Sequence, residues 1–171
     1  EPVLQQSLRN IGEVATDLRD LDAQLLKAQA AARLGRCLID LHRYGEARQG
    51  LEDAARSLSG MLAHNDTLAV EFMLGIAREA LGEWHWHAAQ SAAGAERARE
   101  LRAAGDDFQD AITRMRAVGT HVTLDIYEKA SLNDAVTGLA KVQARLQRTA
   151  PAAARPVRMS SRAWPSRETR R

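Results

Sequence analysis

Two histidines flank a tryptophan in His85-Trp86-His87, the motif in this chain that most resembles a metal or catalytic cluster. Residues two apart on a helix point about 200° away from each other, so these imidazoles cannot share a metal ion on a helix. They could do so only in an extended corner. The obvious further ligands in the sequence are His64, Asp66 and His121. The motif therefore predicts solvent-facing histidines around a packed tryptophan, with no metal site.

Cys37 and an acidic set are the other side chains with potential chemistry. A nucleophilic cysteine needs a base and an activating environment, but Cys37 falls where a helical hairpin needs a small residue. Asp17, Asp20 and Asp22 have helical spacing but lie on a charged face, whereas catalytic carboxylates usually occupy pockets that perturb their pKa. Gly-rich phosphate loops and Ser-His-Asp signatures are absent from the sequence. We therefore predict a protein that is not an enzyme and needs no cofactor.

The end of the chain is strongly basic. Residues 145–171 contain eight Arg and one Glu, a charge of +7, so the rest of the chain carries −5 of the net +2. The stretch after Thr149 holds three of the four prolines and shows no periodic apolar face, which predicts a disordered tail over 149–171. Such a tail could bind nucleic acid or an anionic surface, with Trp164 stacking on a base, or could simply solubilise the chain.

The composition indicates an all-α fold. Hydrophobic residues make up 45% of the chain but aromatic residues only 4%, so most apolar side chains are Ala and Leu, both strong helix formers. Apolar residues recur at helical spacing along residues 1–148, which we predict to be one domain. The predicted helices cover about residues 2–26, 23–41, 45–62, 68–81, 84–104, 106–118 and 131–147. The first of these could instead be a short coiled-coil seam.

Glycines and polar clusters predict the ends of these helices. The predicted breaks are 42–45, 82–84, 105–106 and 119–120. Asp66 or Thr67 is the expected N-cap of the helix over 68–81, and Ser131-x-x-Asp134 predicts a later helix start. Residues 122–129 are compatible with a short helix or a strand.

A forty-residue repeat relates Leu34-Gly35 to Leu74-Gly75. In each copy a small residue follows the Leu after three positions, a second Leu after seven and an aromatic residue after ten. Small residues let two helices approach closely, and the aromatic residue fills the corner between them. The matching residues are Leu34, Gly35, Cys37, Leu41 and Tyr44 in the first copy, and Leu74, Gly75, Ala77, Leu81 and Trp84 in the second.

The stretch 34–58 resembles a tetratricopeptide repeat, and 74–84 resembles a degenerate second copy. The residues that carry the resemblance are Leu34, Gly35, Cys37, Tyr44, Glu46, Ala47, Leu51 and Ala54, followed by Leu74, Gly75, Ala77, Gly82 and Trp84. His42 stands where the family usually has Gly, and the closing Pro is missing from both copies. The resemblance implies a short right-handed array of helical hairpins, an α-solenoid, in which residues 105–148 could form a third unit.

The resemblance also implies a concave groove lined by the first helix of each hairpin. The implied groove residues are Ala32, Arg36, Ile39, Asp40, Phe72, Ile76, Glu79 and Ala80. A peptide or helix from a partner protein would lie there, with Arg36 meeting a carboxylate and Phe72 and Ile76 offering an apolar anchor. The alternative is that these residues pack against the neighbouring helix of a short array.

We therefore expect a protein–protein interaction scaffold, with a nucleic-acid-associated or anionic-surface role of the tail as the alternative. The Ala- and Arg-rich composition is compatible with a bacterial source and with the sensor or scaffold part of a larger signalling or transcriptional regulator. The sequence has no run of about 18 apolar residues, so we predict no membrane span. Cys37 is the lone cysteine, which excludes an internal disulfide. We expect the cytoplasm, or the periplasm if Glu1 is a processed N-terminus. Oligomeric state is not predicted.

Overall fold

Five α-helices make up the part of the chain that the computed structural model describes, residues 21–64 and 67–149. They are α1 (Leu21–Asp40), α2 (Tyr44–Leu62), α3 (Leu68–Ser91), α4 (Gly94–Gly119) and α5 (Ile126–Thr149). No strand occurs within these residues, so the all-α prediction is confirmed there. Most of the helix predicted over 2–26, and the disorder predicted beyond Thr149, lie outside the described residues.

The corner between α1 and α2 forms where it was predicted. The Arg43 N–H donates to the Leu38 carbonyl at 2.8 Å and the His42 N–H to the Ile39 carbonyl at 2.9 Å. These two bonds are the Schellman pattern that closes a helix C-terminus. His42 has a φ of 59°, the left-handed conformation that Gly usually provides at this position. The corner therefore uses His where Gly would be less strained.

α3 runs without interruption through residues 82–84, so the predicted second corner is wrong. Gly82 is a packing position, because a Cβ there would lie 2.8 Å from Cδ1 of Phe108 on α4. Trp84 lies inside α3, and its Nε1–H donates to the Tyr44 carbonyl at 2.7 Å. The corner between α3 and α4 instead forms at Ala92 and Ala93, whose backbones are extended. Tyr44 and Trp84, which the repeat alignment pairs, therefore hold different positions in their helices.

α4 also continues through a predicted break. Gly105 lies inside it, and the nearest atom to a Cβ at Gly105 would be Cγ1 of Val142 on α5, at 3.5 Å. A Cβ there would make only ordinary van der Waals contact, so packing does not require Gly at this position. Because α4 continues through Gly105, the break predicted at 105–106 is wrong. α4 ends at Gly119, which confirms the break predicted at 119–120.

α5 begins at Ile126 and not at Ser131. The Asp125 N–H donates to Glu128 Oε2 at 2.7 Å, and the Glu128 N–H donates to Asp125 Oδ1 at 2.8 Å. This reciprocal pair is a capping box, so the helix start predicted at Ser131 is wrong. The Ser131 hydroxyl donates to the Tyr127 carbonyl within the helix.

Two other helix boundaries bear on the predictions. Thr67 is the N-cap of α3, because its Oγ1 accepts a hydrogen bond from the Val70 N–H at 3.3 Å. This confirms the second of the two predicted caps. Thr149, the first residue of the predicted tail, is the last residue of α5.

α3 is the central element, since it contacts α1, α2, α4 and α5. One core cluster joins α1, α2 and the first part of α3, and a second joins the end of α3 to α4 and α5. The largest fully buried side chains are Ile39, Leu51, Leu58, Leu74, Leu101, Met115, Val70 and Val142. This packing places α1 and the start of α5 on either side of the same stretch of α3.

Candidate functional site

A groove with a volume of about 470 Å³ opens between α1, α3 and the start of α5. The α1 wall carries residues spaced three and four apart, and so does the α3 wall, because that spacing places side chains on one helix face. The lining residues are Gln29, Ala32, Arg33 and Arg36 from α1; Phe72, Met73, Ile76, Glu79 and Ala80 from α3; and Asp125, Tyr127, Glu128 and Ser131.

The structure brings together most of the predicted groove residues. Those that line this groove are Ala32, Arg36, Phe72, Ile76, Glu79 and Ala80. Ile39 does not line it, because its side chain packs in the core shared by α1, α2 and α3. Asp40, the last residue of α1, is exposed and also lies away from the groove lining. The α3 positions that the repeat resemblance assigns to the groove all line it, whereas the two positions at the end of α1 do not.

The apolar part of the groove is supported from behind. Phe72 is 8% exposed and packs with Met115 and Val118 of α4 and with Leu124, which precedes α5. Ile76 is half-buried and contacts the same cluster. These contacts pack the apolar side of the α3 wall against α4 and Leu124 and leave Ile76 partly exposed in the groove.

An ion-pair network around the buried Glu79 lies at one end of the groove. Arg36 Nη1 donates to both carboxylate oxygens of Glu79 at 2.5 Å. Arg36 Nη2 lies 3.3 Å from Glu83 Oε2 and 3.6 Å from Asp134 Oδ2. The guanidinium therefore joins α1, α3 and α5 through three carboxylates, and Glu79 is only 2% exposed.

Burial and charge shift both partners of this network. Burial raises the pKa of Glu79 to about 7, against the lowering effect of Arg36, and Glu83 adds to the rise. Burial lowers the pKa of Arg36, but Glu79 and Glu83 outweigh it and hold that pKa above its usual value. A carboxyl with a pKa near 7 suits proton transfer, but structural ion-pair networks perturb pKa values as well. Since both oxygens of Glu79 bind Arg36, we assign this carboxyl to the connection between helices.

The start of α5 forms the wall that was not predicted from the sequence. Asp125, Tyr127, Glu128 and Ser131 all line the groove. Asp125-x-x-Glu128 is the sequence signal for this helix start, but Ser131-x-x-Asp134 has the same spacing and lies only six residues later. Within the described residues neither Asp125 nor Glu128 contacts a basic side chain, and Arg33 on the opposite wall contacts no acidic one. Three charges at the groove are therefore available to a bound molecule.

The two histidines of the His-Trp-His motif point to different neighbours, as their helical spacing predicts. His85 Nδ1 lies 2.7 Å from Glu100 Oε2 on α4. His87 stacks on the Tyr44 ring of α2, with ring centroids 5.1 Å apart. Both imidazoles are half-buried, so the prediction that they face solvent is wrong. No group of three His, Cys, Asp or Glu residues among those described has the geometry to hold a metal ion.

A second polar network ties α3 to α4. Arg78 Nη1 donates to Asp107 Oδ1 at 2.9 Å, and Arg114 Nη1 donates to Glu71 Oε1 at 3.1 Å. Asp110 lies between the two guanidinium groups, 3.2 Å from Arg78 Nε and 2.9 Å from Arg114 Nε. Neither Nε is aligned for a hydrogen bond, so these contacts are ionic. Burial raises the pKa of Asp107, against the effect of Arg78. These residues connect helices and do not face the groove.

Comparisons with protein-family models, with curated proteins and with solved structures find no match for this chain. In the part of the chain that the structure describes, none of the helices combines the length and the apolar character needed to span a bilayer. The groove and its charges are therefore the basis on which a function can be proposed.

Proposed function

We propose that this chain is a non-catalytic protein–protein interaction scaffold that binds a partner peptide or helix in the groove between α1, α3 and the start of α5. The observation that carries this proposal is that Arg36, Phe72, Ile76 and Glu79, which the repeat resemblance assigns to a binding groove, line one open cavity. A cavity of this size accommodates a few side chains of an extended or helical segment.

The arrangement of the helices supports a hairpin array like that of tetratricopeptide repeats. The first helix of each successive hairpin, α1, α3 and α5, contacts the next one in the row. Gly35 brings α1 against α2, because a Cβ there would lie 2.5 Å from Leu51 Cγ. Gly75 similarly brings α3 against α4, with Met115 Cγ at 3.0 Å from the position of a Cβ. The groove thus lies on the side of the array where first helices meet.

The groove chemistry indicates how a partner would be held. An apolar side chain of the partner would pack on Ile76 and the exposed part of Phe72, where burial supplies most of the binding free energy. Arg33 on one rim and Asp125 and Glu128 on the other would set the direction of the partner through charge. The Arg36–Glu79 pair is already satisfied and maintains the shape of the groove end.

Selection of peptides from a displayed library on the immobilised full chain tests this proposal. We expect selected peptides to lose at least tenfold in affinity for Arg33→Glu and Ile76→Glu variants. The matched control is Val136→Glu, which places the same charge on an exposed position of α5 that does not line the groove. Equal binding to wild type and to both groove variants would contradict the proposal.

The other functional predictions remain predictions from the sequence. A nucleic-acid or anionic-surface role of the Arg-rich tail concerns residues outside those described, so no contact in the structure favours it. Membership of a larger bacterial regulator, location in the cytoplasm and absence of enzymatic activity likewise stay predictions.

A further inference from the structure

We infer that the groove has an intramolecular ligand, the basic segment around Trp164, which competes with partner peptides for the same surface. This inference rests on the proposed function, since it names a regulator of the same site. It depends on three observations: the excess of negative charge at the groove, the composition of residues 150–171, and the distance from the end of α5 to the groove.

The groove region is acidic. Arg33 and Arg36 are the guanidinium groups that line it, whereas Glu79, Asp125 and Glu128 line it as carboxylates. Arg36 is already paired with Glu79 and lies near Glu83 and Asp134, which do not line the groove. The charges without an ion pair among the described lining residues are therefore Arg33, Asp125 and Glu128, an excess of one negative charge. Since Asp125 and Glu128 contact no basic side chain among the described residues, they are free to pair with a cationic ligand.

The two terminal segments differ in how well they suit this charge. Residues 150–171 contain six Arg and a single Glu, with Trp164 between Arg162 and Arg167. That segment combines a large apolar anchor with positive charges on both sides. Residues 1–20 contain four acidic residues and two Arg, so they would add like charge to Asp125 and Glu128. Charge complementarity therefore favours the C-terminal segment as the occupant.

The length of the chain allows Trp164 to reach the groove from its own α5. The groove lies at the first turns of α5, and the segment leaves from Thr149 at the other end, about 30 Å away at 1.5 Å per residue. An extended chain covers at most about 3.3–3.6 Å per residue, so at least nine residues are needed to return. Trp164 is fifteen residues beyond Thr149, whereas Ala152 is only three beyond it and cannot reach.

The experiment is photo-crosslinking of the full chain with p-benzoylphenylalanine in place of Trp164, at low micromolar concentration. We expect crosslinks to Phe72, Met73 or Ile76 in species with the mass of a single chain. The same photo-reactive residue at position 152 should give none in the groove. Crosslinks confined to other surfaces, or found only in species of twice the mass, would overturn the inference.

A charge-neutral groove variant tests the electrostatic part. Asp125→Asn combined with Glu128→Gln removes both charges but keeps side chains that can form the capping box. We expect its crosslink yield from position 164 to fall at least fivefold, and an unchanged yield would refute the role of these carboxylates. Partner peptides selected on the full chain should bind at least fivefold more tightly to Trp164→Ala, and unchanged affinity would argue against competition.

The two proposals fail in different ways. If library peptides bind the groove but position 164 crosslinks elsewhere, the inference falls and the proposed function stands. If position 164 crosslinks in the groove but no library peptide binds, the intramolecular contact stands and the scaffold proposal loses its support.

Discussion

Substitution of Gly138 by Ala tests the packing that joins α3, α4 and α5. The Phe108 ring of α4 lies between two helical glycines, Gly82 of α3 and Gly138 of α5. A Cβ at Gly138 would lie 2.4 Å from Phe108 Cζ and 2.6 Å from Cε1, distances that no relaxed structure tolerates. The ring cannot move towards α3, because it already fills the space beside Gly82. A Cβ at Gly82 would lie only 2.8 Å from Cδ1 of the ring. The new methyl group must therefore displace a helix or distort a buried side chain.

Two opposing effects decide the size of the change. Overpacking a well-packed core costs about 1–3 kcal/mol. Replacing Gly by Ala inside a helix gains about 1 kcal/mol, because Ala is the stronger helix former. We therefore expect Gly138→Ala to lower the free energy of unfolding by about 0–2 kcal/mol. Gly50→Ala in α2, where no atom lies within 4 Å of the added Cβ, should instead raise it by about 1 kcal/mol.

Urea unfolding followed by circular dichroism at 222 nm measures this difference. We expect Gly138→Ala to be less stable than Gly50→Ala by about 1–3 kcal/mol, and a 2 kcal/mol difference corresponds to about 4–8 °C in Tm for a chain of this size. In a Phe108→Leu background, which lacks the ring atoms nearest to the added Cβ, Gly138→Ala should be close to neutral or stabilising. Equal stabilisation by both Ala variants in the wild-type background would refute the assigned packing of Phe108.

Three further perturbations have expected outcomes that the same unfolding assay checks. His42→Gly should raise the free energy of unfolding by about 1 kcal/mol, because Gly adopts the positive φ of the α1–α2 corner without the strain of a Cβ. Asp125→Ala should lower it by about 1 kcal/mol, since α5 loses its N-cap. Because the pKa of Glu79 rises from 4.5 to about 7 on folding, its protonation stabilises the folded state below pH 4.5, and this contribution is lost as pH rises through 7. In the Glu79→Gln variant, this pH-dependent loss of folding stability should be absent.

Each of these variants has a control or a contradicting result. Gln49→Gly, on the exposed face of α2, should lower stability by about 1 kcal/mol, so a loss of stability in His42→Gly as well would contradict the strain at the corner. Asp125→Asn keeps an N-cap side chain and should stay near wild type. A fall in stability between pH 4.5 and 7 that is equally steep in wild type and Glu79→Gln would show that another group is responsible.

The α1–α2 hairpin was predictable because its signals are local. Helical spacing of Leu and Ala defined both helices, and the turn residues around His42 placed the corner correctly. The all-α class followed from the same composition and periodicity. Glycine is ambiguous by itself: the same residue can end a helix or allow a close helix contact. Gly119 does the first and Gly82 does the second, whereas Gly105 lies inside α4 and does neither. Their sequence neighbours do not distinguish these cases.

The residues of the groove were likewise predictable only in part. Arg36, Phe72, Ile76 and Glu79 were predictable as one surface, because the last three share one face of α3 and the repeat pattern related α3 to α1, which carries Arg36. The contribution of Asp125 and Glu128 was not, because it depends on how α5 returns across α3 after the whole of α4.

The amino-acid sequence alone thus determined the helical class, the first hairpin, the acidic body and the basic end, since these follow from composition and from interactions between residues close in the chain. Tertiary packing decided the lengths of α3 and α4, the burial of Ile39 and the union of α1, α3 and α5 around one groove. The physical reason is that the structural role of a glycine or an apolar residue depends on which helix packs against it. Phe108 of α4, for example, packs on Gly82 of α3 and on Gly138 of α5, which are far from each other in the sequence.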